Sequence, residues 1–286
     1  MTGYRSILAC LSDADSAPAT LDLAFSVGRD HLARVEALHV RPDPTSAVPL
    51  VGEGMSGAMV EEMLAAAERQ AAEEAGRIRR QFDQACLRFG VEPGDVAPAT
   101  QRFSATWREE VGREEDVVAH SGRLADLLVL ARPSAERDTP SLLTLNAALM
   151  DSGRPVLVVP PGGASPVGKR IAVLWNGSVE ASRAVAGALP VLERADAVAV
   201  LSAREEGGGH PGDLAAYLAW HGIQATVHSF AAAGPAGVAL LSQATALGAD
   251  LVVMGAYTHS RLRQLILGGV TRHVLHDSPL PVLLSH

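Results

Sequence analysis

Gly255, Gly268 and Gly269 stand in the stretch "GAYTHSRLRQLILGGVT", residues 255 to 271, between the apolar run "ADLVVM" and the closing "PVLLSH". Glycine lets a backbone turn tightly and lets a phosphate approach with no Cβ in the way. A helix N-terminus presents unpaired N–H groups and the positive end of a dipole to an anion. A glycine at a strand end and a glycine pair at a helix start therefore supply parts of a phosphate-binding loop. His259, Arg261 and Arg263 between them are able to meet phosphate oxygens, or to form a solvated basic face. The stretch is not a P-loop, since no Gly-Lys-Ser or Gly-Lys-Thr closes it. The same glycines also serve as ordinary turn residues between a strand and a helix.

Other constellations carry less. Ser178 in "WNGSVEAS" lacks a Gly-x-Ser-x-Gly context and reads as the N-cap of the following helix. Trp175 stands at a strand end, suited to stack on a base or to fill core or interface space, the latter favoured by the scarcity of aromatics. Of ten histidines, the closest groupings are His259 with His273 and His276, and His210 with His221. None completes a zinc spacing, so exposed or capping roles are expected. With no general base in evidence, any hydrolysis would be slow and incidental, and the chain reads as a non-enzyme.

These residues need elements to hold them, and the chain supplies them twice. "SILACLSDADSAPATLDLAF" opens it and "RIAVLWNGSVEASRAVAGAL" reopens it at Arg170. The closing units match as well: "ADLLVLARPS" with "GRPVLVVPP", and "ADLVVMGAYT" with "LPVLLSH". "PPGGASPVGK", residues 160 to 169, reads as a linker. The predicted strands of the first half are Ser6–Leu11, Val35–His39, Val96–Thr100, Leu127–Leu130 and Val156–Val159. Its helices are Ala17–His31, Gly57–Phe89, Trp107–Ser121 and Ser141–Asp151. In the second half the strands are Ile171–Leu174, Ala197–Leu201, Ala225–Phe230, Leu251–Met254 and Val282–Leu284. The helices there are Val179–Glu193, Gly212–Trp220, Pro235–Leu247 and Gly269–His276. Strands alternating with helices predict an α/β fold. The expectation is two tandem five-stranded, mostly parallel, doubly wound units, residues 1–160 and 168–286.

Bulk numbers narrow the partners. The 286 residues are 48% hydrophobic and only 4% aromatic, so Ala, Val, Leu and Ile must build the core, as in parallel sheets buried on both faces. A net charge of −8 and a pI near 5.7 argue against a nucleic-acid partner, which would select a basic face. No apolar run approaches the roughly 20 residues of a membrane span, and the first residues do not read as a secretory signal. Cys10 and Cys86 form no metal or redox spacing. A cytoplasmic location is expected.

"DLVVMGAYTHSRLRQLILGGVTRHVLHDSPLPVLL" resembles the C-terminal signature of the universal stress protein family, and "IAVLWNGS" and "ILACLSDA" resemble that family's first strand and its polar end. The resemblance covers both halves. It implies a tandem universal stress protein, a stress-response module whose second half binds ATP or a related adenine nucleotide, with or without Mg. The family pattern is Gly, two residues, Gly, nine residues, Gly, then Ser or Thr. Here Gly255, Thr258, Gly268 and Gly269 occupy those places. Thr258 has a Cβ that costs roughly 1 kcal/mol or more at a positive φ, and Gly269 lacks the hydroxyl, for which Ser260 and Thr271 are the nearby substitutes. Asn176 replaces the family's usual Asp at the first strand end and still donates and accepts hydrogen bonds. In the first half Ala131 stands where Gly255 stands, Ser134 matches Thr258, and Pro140 interrupts, so no nucleotide site is expected there. The resemblance further implies an intrachain pseudo-dimer through "PVLVVP" and "PVLLSH", with a homodimer as a further option. The alternative to a nucleotide module is a scaffold that has lost the ligand and acts through protein contacts. A hydrolase using Ser178 ranks last.

Overall fold

The computed structural model describes residues 3–47, 56–94, 101–133, 142–163, 167–203, 210–231, 234–256 and 269–286. The first half runs β1 (Ser6–Cys10), α1 (Ala17–His31), β2 (Arg34–Arg41), α2 (Gly57–Phe89), β3 (Ser104–Val111), α3 (Glu114–Gly122), β4 (Leu127–Ala131), α4 (Leu142–Asp151) and β5 (Val156–Val159). The second runs β6 (Arg170–Leu174), α5 (Val179–Leu192), β7 (Ala197–Ala203), α6 (Pro211–Trp220), β8 (Ala225–Phe230), α7 (Ala236–Ala246), β9 (Leu251–Gly255), α8 (Gly269–Asp277) and β10 (Val282–Ser285). All ten strands join one sheet in the order β3-β2-β1-β4-β5-β10-β9-β6-β7-β8. Every pairing is parallel except β5 with β10, where Val282 faces Val158, Leu283 faces Leu157 and Leu284 faces Val156. The expected seam between "PVLVVP" and "PVLLSH" is therefore present, as an antiparallel contact.

Period-two alternation sorts the side chains of each strand between two cores. Ile7 and Ala9 of β1 face one layer, which holds Leu21 of α1, Phe82 of α2, Val185 of α5 and Leu218 of α6. Leu8 and Cys10 face the other, which holds Val118 of α3, Leu145 of α4, Leu240 of α7 and Val274 of α8. Helices thus cover both faces of both halves, the doubly wound arrangement. The short apolar strands β4, β5 and β10 are buried at every position, as a sheet clad on both sides requires. The repeated "AD" before β4 and β9 has a physical role. The Asp126 carboxylate accepts the backbone N–H groups of Arg5 and Ser6, at 2.7 and 3.0 Å. Asp250 accepts those of Gly168, Lys169 and Arg170, at 2.8, 3.0 and 3.0 Å. Each Asp pins the start of the neighbouring strand.

One stretch differs from expectation. The third strand is β3, Ser104–Val111, inside the segment expected to begin a helix at Trp107, and that helix starts only at Glu114. The expected strand Val96–Thr100 lies outside the described residues. "WREE" reads as a solvated helix face, but across a parallel ladder its charges pair with β2. Arg108 meets Glu36 at 2.7 Å and Glu109 meets Arg41 at 2.9 Å. Trp107 turns inward onto Phe82, with ring centres 5.6 Å apart. Phe25 gathers Phe82, Phe89 and Phe103 edge-on at 5.5 to 6.1 Å. This aromatic cluster fixes the C-terminal half of α2, where Ala75, Ile78, Phe82, Ala85 and Cys86 are its buried residues. The earlier turns of α2 reach out over the carboxyl ends of β1 to β3.

Beyond the strand seam, Tyr4 crosses from the first half to the second. Its hydroxyl donates to the Gly187 carbonyl at 2.6 Å, and the ring is 3% exposed. Tyr4→Phe leaves that carbonyl without its donor and is expected to lower stability by about 1–3 kcal/mol, read from denaturant midpoints at unchanged slope. His31 packs edge-on against Tyr4 at 5.1 Å. Burial first, then the charge of Arg194 from the second half, hold its ring nitrogen down to about 4. The unfolded chain takes up that proton near pH 6.5 and the folded chain does not. Stability is therefore expected to fall as pH drops from about 6.5 toward 4, and His31→Gln to flatten that part of the melting profile.

Candidate functional site

The strand order reverses between β6 and β9. Parallel sheets open their ligand crevice outside the carboxyl ends at such a point. Leu174 of β6 pairs with Met254 of β9, so the chain leaves the sheet at neighbouring places. Asn176 stands exposed just beyond β6, and Gly255 ends β9. Asn176 Oδ1 accepts the backbone N–H of Ser178 at 3.1 Å. Its amide nitrogen makes no hydrogen bond among the described residues. Gly177 between them adopts φ +75°, a left-handed conformation suited to glycine. Ser178 is the N-cap of α5, its hydroxyl accepting from Ala181 N at 3.1 Å. The hydroxyl thereby takes a capping role and has no histidine partner among the described residues.

Gly255 has a packing reason. The first turn of α5 descends onto β9 there, and a Cβ on Gly255 would lie 2.4 Å from Ala181 N and 2.6 Å from the carbonyl carbon of Glu180. Gly269 is the contrary case. It opens α8, and a Cβ on it would meet nothing within 4 Å among the described residues. Thr271 lies in the first turn of α8 and is buried. Thr258, Ser260 and Gly268, with His259, Arg261 and Arg263, lie outside the described residues. The structure thus brings Asn176 and Gly255 together at adjacent strand ends and sets Gly269 at an open helix start. Trp175 is half-buried against the apolar core. Its indole nitrogen is buried and lacks a hydrogen-bond partner among the described residues. It is a donor beside the crevice.

His210, His273 and His276 take structural places. His210 caps α6, its Nδ1 accepting from Gly212 N at 3.2 Å. His273 and His276 both turn to Asp277, at 2.7 and 2.8 Å, and the His276 contact leads in holding that carboxyl below its usual range. Among the described residues no group of three His, Cys, Asp or Glu side chains is arranged to hold a metal ion. No helix among them is long and apolar enough to cross a membrane. Cys10 and Cys86 are free and buried. Burial pushes both thiols up, Cys86 to about 11, which keeps them unreactive.

A feature that the sequence does not announce lies in the first half. A cavity of about 600 Å³ sits beyond the carboxyl ends of β1, β2 and β3, with the middle of α2 beside it. Ser12, Asp13, His39, Glu74, Glu114 and Glu115 are among its lining residues. Asp13 accepts from Ser16 N and Oγ at 2.8 and 2.6 Å, at the start of α1. Glu74 accepts from Ala14 N at 2.8 Å. Glu114 accepts from the hydroxyls of Ser12 and Thr144, the latter at 3.0 Å. Burial pushes the Glu114 carboxyl above its usual range, and those two hydroxyls oppose the shift. The signal was acidic residues following three successive strands. With Glu114 read as mid-helix, the third was out of place.

Residues 168–286 match the model of the universal stress protein family. Among curated proteins none matches the chain. Solved structures share the architecture across its whole length. A universal stress protein from Archaeoglobus fulgidus DSM 4304 superposes with a TM-score of 0.66 at 17% identity, covering 98% of this chain and 97% of that one. A structure from Pseudomonas aeruginosa UCBPP-PA14, named for the same family, gives 0.58 at 16% identity, over 99% and 93%. A protein of unknown function from Pseudomonas aeruginosa PAO1 gives 0.58 at 16%, over 99% and 92%. At these identities the likeness establishes the fold. Over residues 168–286 the chain is thus similar to the universal stress protein family, in sequence as well as in fold.

Proposed function

We propose that this protein is a two-domain stress-response module, residues 1–160 and 168–286, whose second domain binds ATP or a related adenine nucleotide. The observation that carries the reading is the reversal of strand order at β6 and β9 inside the family-matched segment, with Asn176 and Gly255 at the two strand ends. Ligands of doubly wound sheets bind at such reversals. The residues available suit the ligand. Asn176 offers an unengaged amide donor to a ribose or base. Gly269 leaves space for phosphate at the start of α8, where helix N–H groups face outward. Gly268, Thr258, Ser260 and Thr271 complete the assignment by sequence. The role is binding, in the cytoplasm, and Ser178 as a cap does not favour hydrolysis.

A second reading has its own support. Gly255 is demanded by the contact with Ala181 and Glu180 whether or not a phosphate ever approaches. A domain retaining that glycine for packing alone would be a scaffold acting through protein contacts.

Calorimetric titration of ATP, ADP and AMP, with and without Mg²⁺, into protein stripped by unfolding and refolding separates the two. Saturable binding that weakens by about tenfold or more (about 1.4 kcal/mol) in Gly269→Val and in Asn176→Ala supports the nucleotide module. Gly269→Val is expected to fold, because the side chain enters open space. Absence of heat with all three nucleotides overturns the reading in favour of the scaffold. Gly255→Ala is expected to lower stability by about 1–3 kcal/mol or more through overpacking, with or without nucleotide, as read by chemical denaturation.

A further inference from the structure

The two outer edges of the sheet are built differently. β3 carries Arg108, Glu109 and Glu110, whose charges pair among themselves and with Glu36 and Arg41 of β2. Charged side chains guard an edge strand against foreign strands. β8, "ATVHSF", has no charge and no proline, and its register with β7 is unbroken from Ala225 to Phe230. Among the described residues β7 is its only strand partner, so its outer side presents unpaired backbone groups. The neutrality extends beyond the strand. From Leu214 to Ala249 the sequence holds no Asp, Glu, Lys or Arg, in a chain that is 20% charged. Within that run Trp220 is 90% and Tyr217 43% exposed on α6, and Val227 is 42% exposed on β8. Depletion of charge together with Tyr and Trp is the composition of an interface core. Each copy of the chain carries a net charge of −8, so two copies meet at least cost where the touching surfaces are neutral.

We propose that β8 is a homodimer interface, pairing antiparallel with β8 of a second copy and continuing the sheet across a two-fold axis. That axis stands normal to the sheet and keeps each side chain on its own face. Residues opposed across it are therefore both odd or both even in number. Centring the pair on Val227 or on His228 gives the longest overlap of β8 with itself. His228 at the axis would set two imidazoles against each other. Val227 at the axis buries two exposed apolar side chains on one another. It also sets Thr226 opposite the partner's His228, a pair of residue types that already meet at 3.1 Å within the strand. Pairing of β8 with β3 of another copy would be antiparallel too, because the two halves run oppositely. Such a contact does not close and grows a filament, and the charges of β3 oppose it. One guarded edge and one neutral edge thus select a closed dimer.

Sedimentation of the full chain from about 1 to 200 µM, in about 150 mM salt to screen the net repulsion, is the first test. The expected result is a reversible monomer–dimer equilibrium whose dissociation constant rises by about tenfold or more in Val227→Lys, which places a charge on the axis. Ser229→Lys, on the same face of the strand, replaces it if melting shows that Val227→Lys does not fold. Oxidation then reads the register. Opposed Cα atoms of an antiparallel pair lie about 4.5–5.5 Å apart, within disulfide reach. Val227→Cys is expected to cross-link at the concentrations where sedimentation finds dimer. Thr226→Cys, whose counterpart lies two residues along the ladder, is expected to cross-link far more slowly. Cys10 and Cys86 are buried and do not compete. Three outcomes overturn the proposal: a monomer at every concentration, which would leave the edge to another protein; a dimer indifferent to both lysine variants; or equal cross-linking of the two cysteine variants.

Discussion

The antiparallel pairing of β5 with β10 is the contact on which the rest of the molecule depends. Both strands are apolar and fully buried, and each would otherwise be the open edge of a five-stranded sheet. An exposed apolar edge strand invites pairing with other chains. Joining the two edges within one chain satisfies both ladders and makes the two cores continuous. Leu157 and Leu283, partners across the seam, belong to the same hydrophobic cluster. Tyr4 and Arg132 then reach over, the latter donating to the Ser278 carbonyl at 2.7 Å. The outer edges are handled differently. β3 carries charges paired with β2, whereas β8 is uncharged and half exposed.

Most of the fold could be read from the residues because local and global signals agree. Apolar runs such as "LLVLA" and "VLVV" are too short for helices and lie at regular intervals, and helices such as Ala17–His31 and Gly57–Phe89 fall where helical periodicity places them. β3 was illegible for a physical reason. Its side chains are charged because it is an edge, and ion pairs across a ladder have no local signature. The aromatic cluster that holds Trp107 and Phe103 is built from residues far apart in the chain. The misplacement then concealed the acidic cavity, which exists only when the ends of β1, β2 and β3 stand side by side.

Around the candidate nucleotide crevice, sequence order was enough to bring Asn176 and Gly255 together, since strands beside a crossover reversal must neighbour each other. It did not distinguish why each glycine is there. Gly255 answers to a helix turn pressing on a strand, and Gly269 to nothing among the described residues around it. Only the packing separates these cases, and it reverses the naive ranking: the glycine more central to the pattern is the worse position at which to test ligand binding by mutation.

The two halves also differ in the groups they set beyond their strands. The first ends its strands in carboxylates and the imidazole of His39. The second ends them in an amide and the open start of a helix. Because the sheet changes direction at the seam, the carboxyl ends of β1 to β4 point opposite to those of β6 to β9. The acidic cavity and the candidate crevice thus stand at opposite ends of the strands of one sheet. Any influence between them must cross the seam, through the paired backbone of β5 and β10, the shared core and the contacts of Tyr4 and Arg132. The two ends of the strands thus carry different chemistry in the two halves.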